Sequence, residues 1–172
     1  MRGAARVYVG TYAKYNNCSI EGAWLDLEDY KDKFEFEAAC EELHGSGEHE
    51  FMFQDHEGIP AKFISESYLS GDVWDEWICL ADGDKELLTV YLDNVNRDGS
   101  LTEAQESFQG KFKSESDWAS EYWESTGLLQ TIPESLQSYI NYEAYARDAR
   151  LGGDVTFVEV GYRNVWVFSS NV

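Results

Sequence analysis

Positive charge is scarce in this chain: 13 lysines and arginines face 33 aspartates and glutamates, giving a formal net charge of -20 over 172 residues. Phosphates are neutralised by Lys and Arg, and no cluster of these exists here, so direct binding to nucleic acid is excluded. Cysteine is sparse as well. Cys18, Cys40 and Cys79 form no CxxC and are odd in number, which reads as buried or idle thiols in a reducing cytoplasm. Long apolar runs are missing, and Met1 to Ala5 contain no hydrophobic signal segment, so a soluble cytoplasmic protein with no membrane partner is expected. There is no GxSxG, no P-loop and no GxGxxG opening a helix, and no repeat, low-complexity tract or long linker. These gaps point away from catalysis: no catalytic residue, resident metal or cofactor is expected.

What is present fits a folded protein. Apolar residues make up 43% and aromatics 15%, enough bulk to bury real cores and to exclude disorder. The acidity is then a cost without a structural reason, since self-repulsion destabilises a compact state and solubility needs far less charge. A partner of opposite sign is implied, and basic grooves that normally hold DNA are the obvious candidates. Metal ions or a high-salt environment are the competing reasons to be this acidic.

Periodicity gives a mixed α+β reading. Arg6–Tyr12 alternates as a strand, a polar turn follows at Lys14–Asn17, and a second strand lies near Ile20–Leu27. Asp32 opens a helix, with Glu35 in a capping-box-like relation and Phe36, Ala39, Cys40 and Leu43 as its apolar face. Gly45–Gly47 ends it, and Phe51–Gln54 reads as a third strand. The middle is mainly helical: Val73–Leu80, then a helix capped by Asp84 with Leu87, Leu88, Tyr91, Leu92 and Val95 on one face. Asn96–Ser100 is a turn, and Ser100-x-x-Glu103 is a further capping box. The last third is mixed again. Phe108–Phe112 is a strand or extended loop, and a helix runs from Ser114 to Gly127. Pro133 suits a first helical turn, Asn141 caps Tyr142–Leu151, and Asp154–Val160 with Asn164–Phe168 form a hairpin. The expected division is an α+β module at 1–63, a mainly helical one at 64–107 and an α+β one at 108–172.

The acids follow these elements. In the helix after Ser114, Trp118, Ala119, Tyr122 and Trp123 face one way, while Asp117, Glu121 and Glu124 share the opposite side. Like charges at that spacing destabilise a helix by about 0.2–0.5 kcal/mol per pair. Glu35, Glu37, Glu41 and Glu42 similarly flank the polar side of the first helix, which follows Asp26, Glu28, Asp29 and Asp32. Asp72, Asp75 and Glu76 extend the acidity into the middle. Neither helix shows the alternating signs of an ordinary solvated face. From Ala149 onward the chain is balanced, Arg150 and Arg163 facing Asp154 and Glu159.

Several stretches together resemble the ArdA family of antirestriction proteins. They are Tyr8–Asn17 (YVGTYAKYNN), Gly22–Leu27 (GAWLDL), Glu50–Pro60 (EFMFQDHEGIP), Ile64–Ser67 (ISES), Phe108–Gly127 (FQGKFKSESDWASEYWESTG) and Tyr139–Phe168 (YINYEAYARDARLGGDVTFVEVGYRNVWVF). The match runs from about Arg6 to Phe168, with Tyr68–Lys85 the least similar part. The resemblance implies an elongated chain of three small modules that dimerises end to end. It also implies acids imitating DNA phosphates so as to occupy the DNA path over the specificity and methyltransferase subunits of type I restriction-modification enzymes. Such proteins are carried by conjugative plasmids, transposons and phages, and act in the bacterial host. The acids named above, Asp26 through Glu124, are the expected phosphate-like surface, and Phe108 and Phe112 beside Gly110 the expected dimer contact.

Other signals are weaker. Asn94, Asn96 and Asp98 occupy positions of an EF-hand-like loop at 94–105, so an acidic calcium-binding protein or enzyme is the alternative. The loop starts on Asn, however, and Gln105 cannot supply a bidentate carboxylate. His44, His49 and His56 fit no zinc spacing. Carboxylate pairs at glycosidase spacing arise by abundance alone in so acidic a chain.

Overall fold

The computed structural model describes residues 4–45, 47 and 49–170. Met1–Gly3 of the N-terminal stretch and Ser46 of the predicted helix stop lie outside the described residues. The fold is mixed α and β, as expected, and forms two compact units, Met1–Lys85 and Glu86–Val172. No helix among the described residues is long and apolar enough to cross a membrane.

In the first unit the period of two in the opening strand sets the architecture. In β1 (Arg6–Thr11) Val7, Val9 and Thr11 are buried while Arg6 and Tyr8 stay half-exposed. β1 is the middle of an antiparallel sheet between β2 (Ala23–Asp26) and β3 (Phe51–Glu57). Tyr8 stands opposite Trp24 on one side and Asp55 on the other, where a bulge follows. Between the first two strands the predicted turn is a short helix, α1 (Tyr12–Asn16), because Thr11 Oγ1 accepts the Lys14 N–H at 3.2 Å and caps it.

α2 (Lys33–His44) begins where the sequence says. Asp32 Oδ1 accepts the Glu35 N–H at 2.9 Å, but Glu35 Oε2 reaches back to the Lys31 N–H at 3.0 Å, one residue earlier than a regular capping box. Phe36 and Cys40 are buried, and burial pushes the Cys40 thiol up to about 12. Leu43, expected in the apolar face, is exposed, so that face narrows to the helix's middle turns. A two-stranded ribbon, β4 (Ile64–Ser65) and β5 (Tyr68–Leu69), and a π-helical turn at Trp74–Ile78 complete the unit. The Trp74 indole donates to the Leu27 and Tyr30 carbonyls at 3.1 and 2.8 Å, which fixes that turn.

The second unit is a sheet covered on both faces. Its order is β6 (Phe108–Phe112), β8 (Asn164–Ser169), β7 (Val155–Gly161). Alternation along β8 sends Trp166 and Phe168 into one cluster with Leu87, Val90, Tyr91 and Ala104, from α3 (Asp82–Asn94) and α4 (Leu101–Ser107). Val167 joins the other cluster, with Trp118 and Ala119 of α5 (Glu115–Ser125) and Ala146 of α7 (Tyr142–Gly152), which follows α6 (Glu134–Gln137). α3 starts two residues before the predicted cap, Asp84, which lies inside it. The capping box at Ser100 and Glu103 forms in both directions, at 3.2 and 2.7 Å. Gly153, in the left-handed region at φ 78, ends α7 as read from the sequence.

Candidate functional site

The clearest arrangement of acids is on α5. Ser114 Oγ accepts the Asp117 N–H at 3.1 Å and fixes the helix start. From there the 3.6-residue period buries Trp118 and Ala119, and Trp118 stacks on Tyr122 at 5.3 Å. Asp117, Glu121 and Glu124 fall on the far side and are exposed. No cation pairs with any of the three among the described residues. They rise along the axis by about 4.5–6 Å per step, from the 1.5 Å rise per residue.

α2 is different. Glu41 and Glu42 are exposed and make no ion pair among the described residues, but Glu35 and Glu37 do. Lys31 pairs with Glu35, and hydrogen bonding from the Lys31 ammonium holds that carboxyl below its ordinary value. Lys33 Nζ lies 3.6 Å from Glu37. No lysine intervenes among the four acids; the two cations that pair with them stand four residues earlier, the less favourable order for such a pair. Asp32 is spent as the helix cap. Asp26, Glu28 and Asp29 are exposed just before it.

Asp72, Asp75 and Glu76 are exposed around the π-helical turn. Asp72 Oδ2 accepts the Ser70 hydroxyl at 3.0 Å, and Glu76 pairs with Lys62 at 3.2 Å. No described Asp or Glu is buried.

Phe108 and Phe112 are half-buried. The Phe108 ring lies 5.2 Å from Trp166 and 5.4 Å from Phe168, and Phe112 packs against the cluster of Trp118 and Val167. Among the described residues β6 pairs with β8 alone, so it is an edge strand. In the 94–105 loop the Asn96 carboxamide oxygen accepts the Asp98 N–H at 3.2 Å, an Asx turn, and Asn94 donates to the Val90 carbonyl at 2.9 Å. Position twelve, Gln105, is already deep in α4 rather than at a loop end. His44 bonds the Val9 carbonyl at 3.2 Å, and no three His, Cys, Asp or Glu side chains converge as a metal site among the described residues.

A model of the antirestriction protein ArdA matches residues 7–164. The chain belongs to the ArdA family. It is by that membership an antirestriction protein, of an inhibitor family rather than an enzyme family, and its partners are restriction-modification enzymes. No curated protein matches the chain.

One feature of this ArdA chain has no signal in the sequence. The outward face of the first sheet carries a concavity of about 660 Å³ lined by Tyr8, Tyr15, Gln54, Asp55, His56 and Glu66, among others. Those residues come from β1, α1, β3 and the turn between β4 and β5, segments that no local motif connects.

Proposed function

We propose that the chain is a DNA mimic that occupies the DNA-binding groove of type I restriction-modification enzymes, across their specificity and methyltransferase subunits. It blocks restriction, and modification with it, by competition, without turnover or cofactor. The observation that carries the reading is the acidic stripe Asp117, Glu121 and Glu124 on α5, unpaired among the described residues and set opposite a buried aromatic face. A helix that only needed solubility would place a lysine at one of these positions and gain stability from the pair. The net charge of -20 equals that of about 34 Å of duplex, or about ten base pairs, at one charge per about 1.7 Å.

Asp26, Glu28, Asp29, Glu41, Glu42 and Asp75 are proposed as further parts of the phosphate-like surface, with Asp32, Glu35, Glu37, Asp72 and Glu76 contributing less because each already has a partner. The modules 1–63, 64–107 and 108–172 are proposed as successive parts of that surface. A homodimer, formed through the edge strand β6 with Phe108 and Phe112, would double the length of duplex imitated. An F112D chain that stays folded by circular dichroism is then monomeric by light scattering, and a dimeric one removes the dimer proposal. The test of the function itself is displacement of labelled duplex from a purified type I methyltransferase. The protein releases the DNA competitively, and DNA that stays bound at saturating protein overturns the reading.

A further inference from the structure

In the first unit, cations are held in a recurring way, between an aromatic ring and a carboxylate. The Arg6 guanidinium lies 4.6 Å from the Trp24 ring centre and 2.8 Å from Glu57. Lys33 lies 5.3 Å from the Tyr68 ring and pairs with Glu37, and Lys62 lies 4.6 Å from the Phe63 ring and pairs with Glu76. Ring quadrupole and carboxylate attract the same charge, and a guanidinium uses both well because it stacks and forks at once.

The concavity on the outward face of the β2-β1-β3 sheet offers both elements, yet no Lys or Arg among the described residues lines it. Tyr8 and Tyr15 supply rings, and Asp55 and Glu66 supply carboxylates. Tyr8 is held in place by its hydroxyl, which donates to the Ile20 carbonyl at 3.1 Å, and by its edge contact with Trp24 at 5.5 Å. Asp55 Oδ1 accepts the His56 N–H at 2.8 Å, and the Glu66 carboxylate lies near the Tyr12 hydroxyl, whose proton it helps to hold. Each carboxylate accepts up to about four hydrogen bonds, so both keep capacity for a donor from outside. Gln54 adds a carboxamide at the wall. His56, which also lines the concavity, has a buried Nδ1 with no hydrogen-bond partner among the described residues.

We propose that this concavity is a receptor for an arginine side chain presented by the basic surface of the partner protein, with Tyr8 and Tyr15 against the guanidinium plane and Asp55 and Glu66 accepting its N–H groups. The proposal deepens the DNA-mimic reading and rests on it for the identity of the partner. It differs from phosphate imitation in kind: a phosphate row attracts any cation at long range, whereas a walled site of rings and acceptors selects a planar donor at contact.

The test separates the site from the function. The intact protein is titrated with N-acetyl-arginine methylamide, and with the citrulline analogue as an uncharged control of the same shape, while backbone amide resonances are followed. Saturable shifts confined to Tyr8, Gln54, Asp55, His56 and Glu66 with the arginine probe alone are expected. The D55N/E66Q chain, checked for an unchanged spectrum elsewhere, binds the probe at least about tenfold more weakly, a loss of about 1.4 kcal/mol. Non-saturating shifts spread over all exposed carboxylates, or equal binding of citrulline, overturn the site. Because the probe is a small molecule, these outcomes are independent of whether the chain displaces DNA from a methyltransferase. If it does so and D55N/E66Q is undiminished in that assay, arginine capture has no part in partner binding.

Discussion

α2 and α5 are both acidic helices with a buried apolar side, yet their outer sides differ. On α2 two glutamates are matched by lysines four residues earlier and an aspartate serves as cap, so part of the acidity stabilises the helix that carries it. On α5 the three outward acids have no cation partner among the described residues, and their mutual repulsion works against the helix. The difference separates charge that serves the fold from charge that the fold must carry. Only the second kind calls for a partner.

The largest expected effect tests the cost side of that comparison. α5 tolerates its acids because Trp118 anchors it, in ring contact with Tyr122 and Tyr145, which also touch each other, and with Phe157 at its edge. W118A should destabilise the protein by about 3–5 kcal/mol in denaturant melts. L43A in α2, whose side chain is exposed, should change stability little, and a large loss there would contradict the narrow apolar face.

A smaller effect sharpens the comparison at the level of function. Neutralising the α5 stripe in D117N/E121Q/E124Q should weaken inhibition of a type I enzyme while raising the melting temperature slightly. E35Q/E37Q in α2 should do the reverse, costing stability and leaving inhibition almost intact. Equal losses of inhibition from the two sets would erase the distinction. Single neutralisations should each cost little, since no one carboxylate is indispensable on a distributed surface.

The smallest effect is in the acid limb of stability. The Glu35 carboxyl is held below its ordinary value by the Lys31 ammonium, so the folded state binds that proton less readily than the unfolded state does. Its contribution is present above the ordinary carboxylate value and is lost as pH falls through the lower, folded one. E35Q should flatten the fall in melting temperature across that window by a small amount, the pair being exposed. Unchanged curvature would show the pair to be inert.

Much of this was legible from residue order. The caps at Asp32, Ser100, Ser114 and Asn141 and the C-terminal hairpin are local features, set by hydrogen bonds a few residues long, and they form where the sequence places them. α1 was hidden because Thr11 is at once the last residue of a strand and a helix cap. The ribbon of β4 and β5 is two residues per strand, too short for any period to declare itself. The lysine pairs on α2 were readable from spacing, Lys31 to Glu35 and Lys33 to Glu37, but the run of glutamates that follows obscures them. The concavity was not legible at all, because register sets Tyr8 beside Asp55 while Glu66, whose carbonyl accepts the Phe53 N–H, arrives on the turn between β4 and β5.

The central claim is that outward carboxylates stand in for phosphates. Affinity for a purified type I methyltransferase, measured across a salt series beside that of duplex DNA, tests it most directly. Both should fall steeply with log salt and with comparable slopes, as counterions held near the two acidic ligands are displaced by the same basic groove. Binding that is tight but indifferent to salt would mean that the acids are not what the enzyme holds.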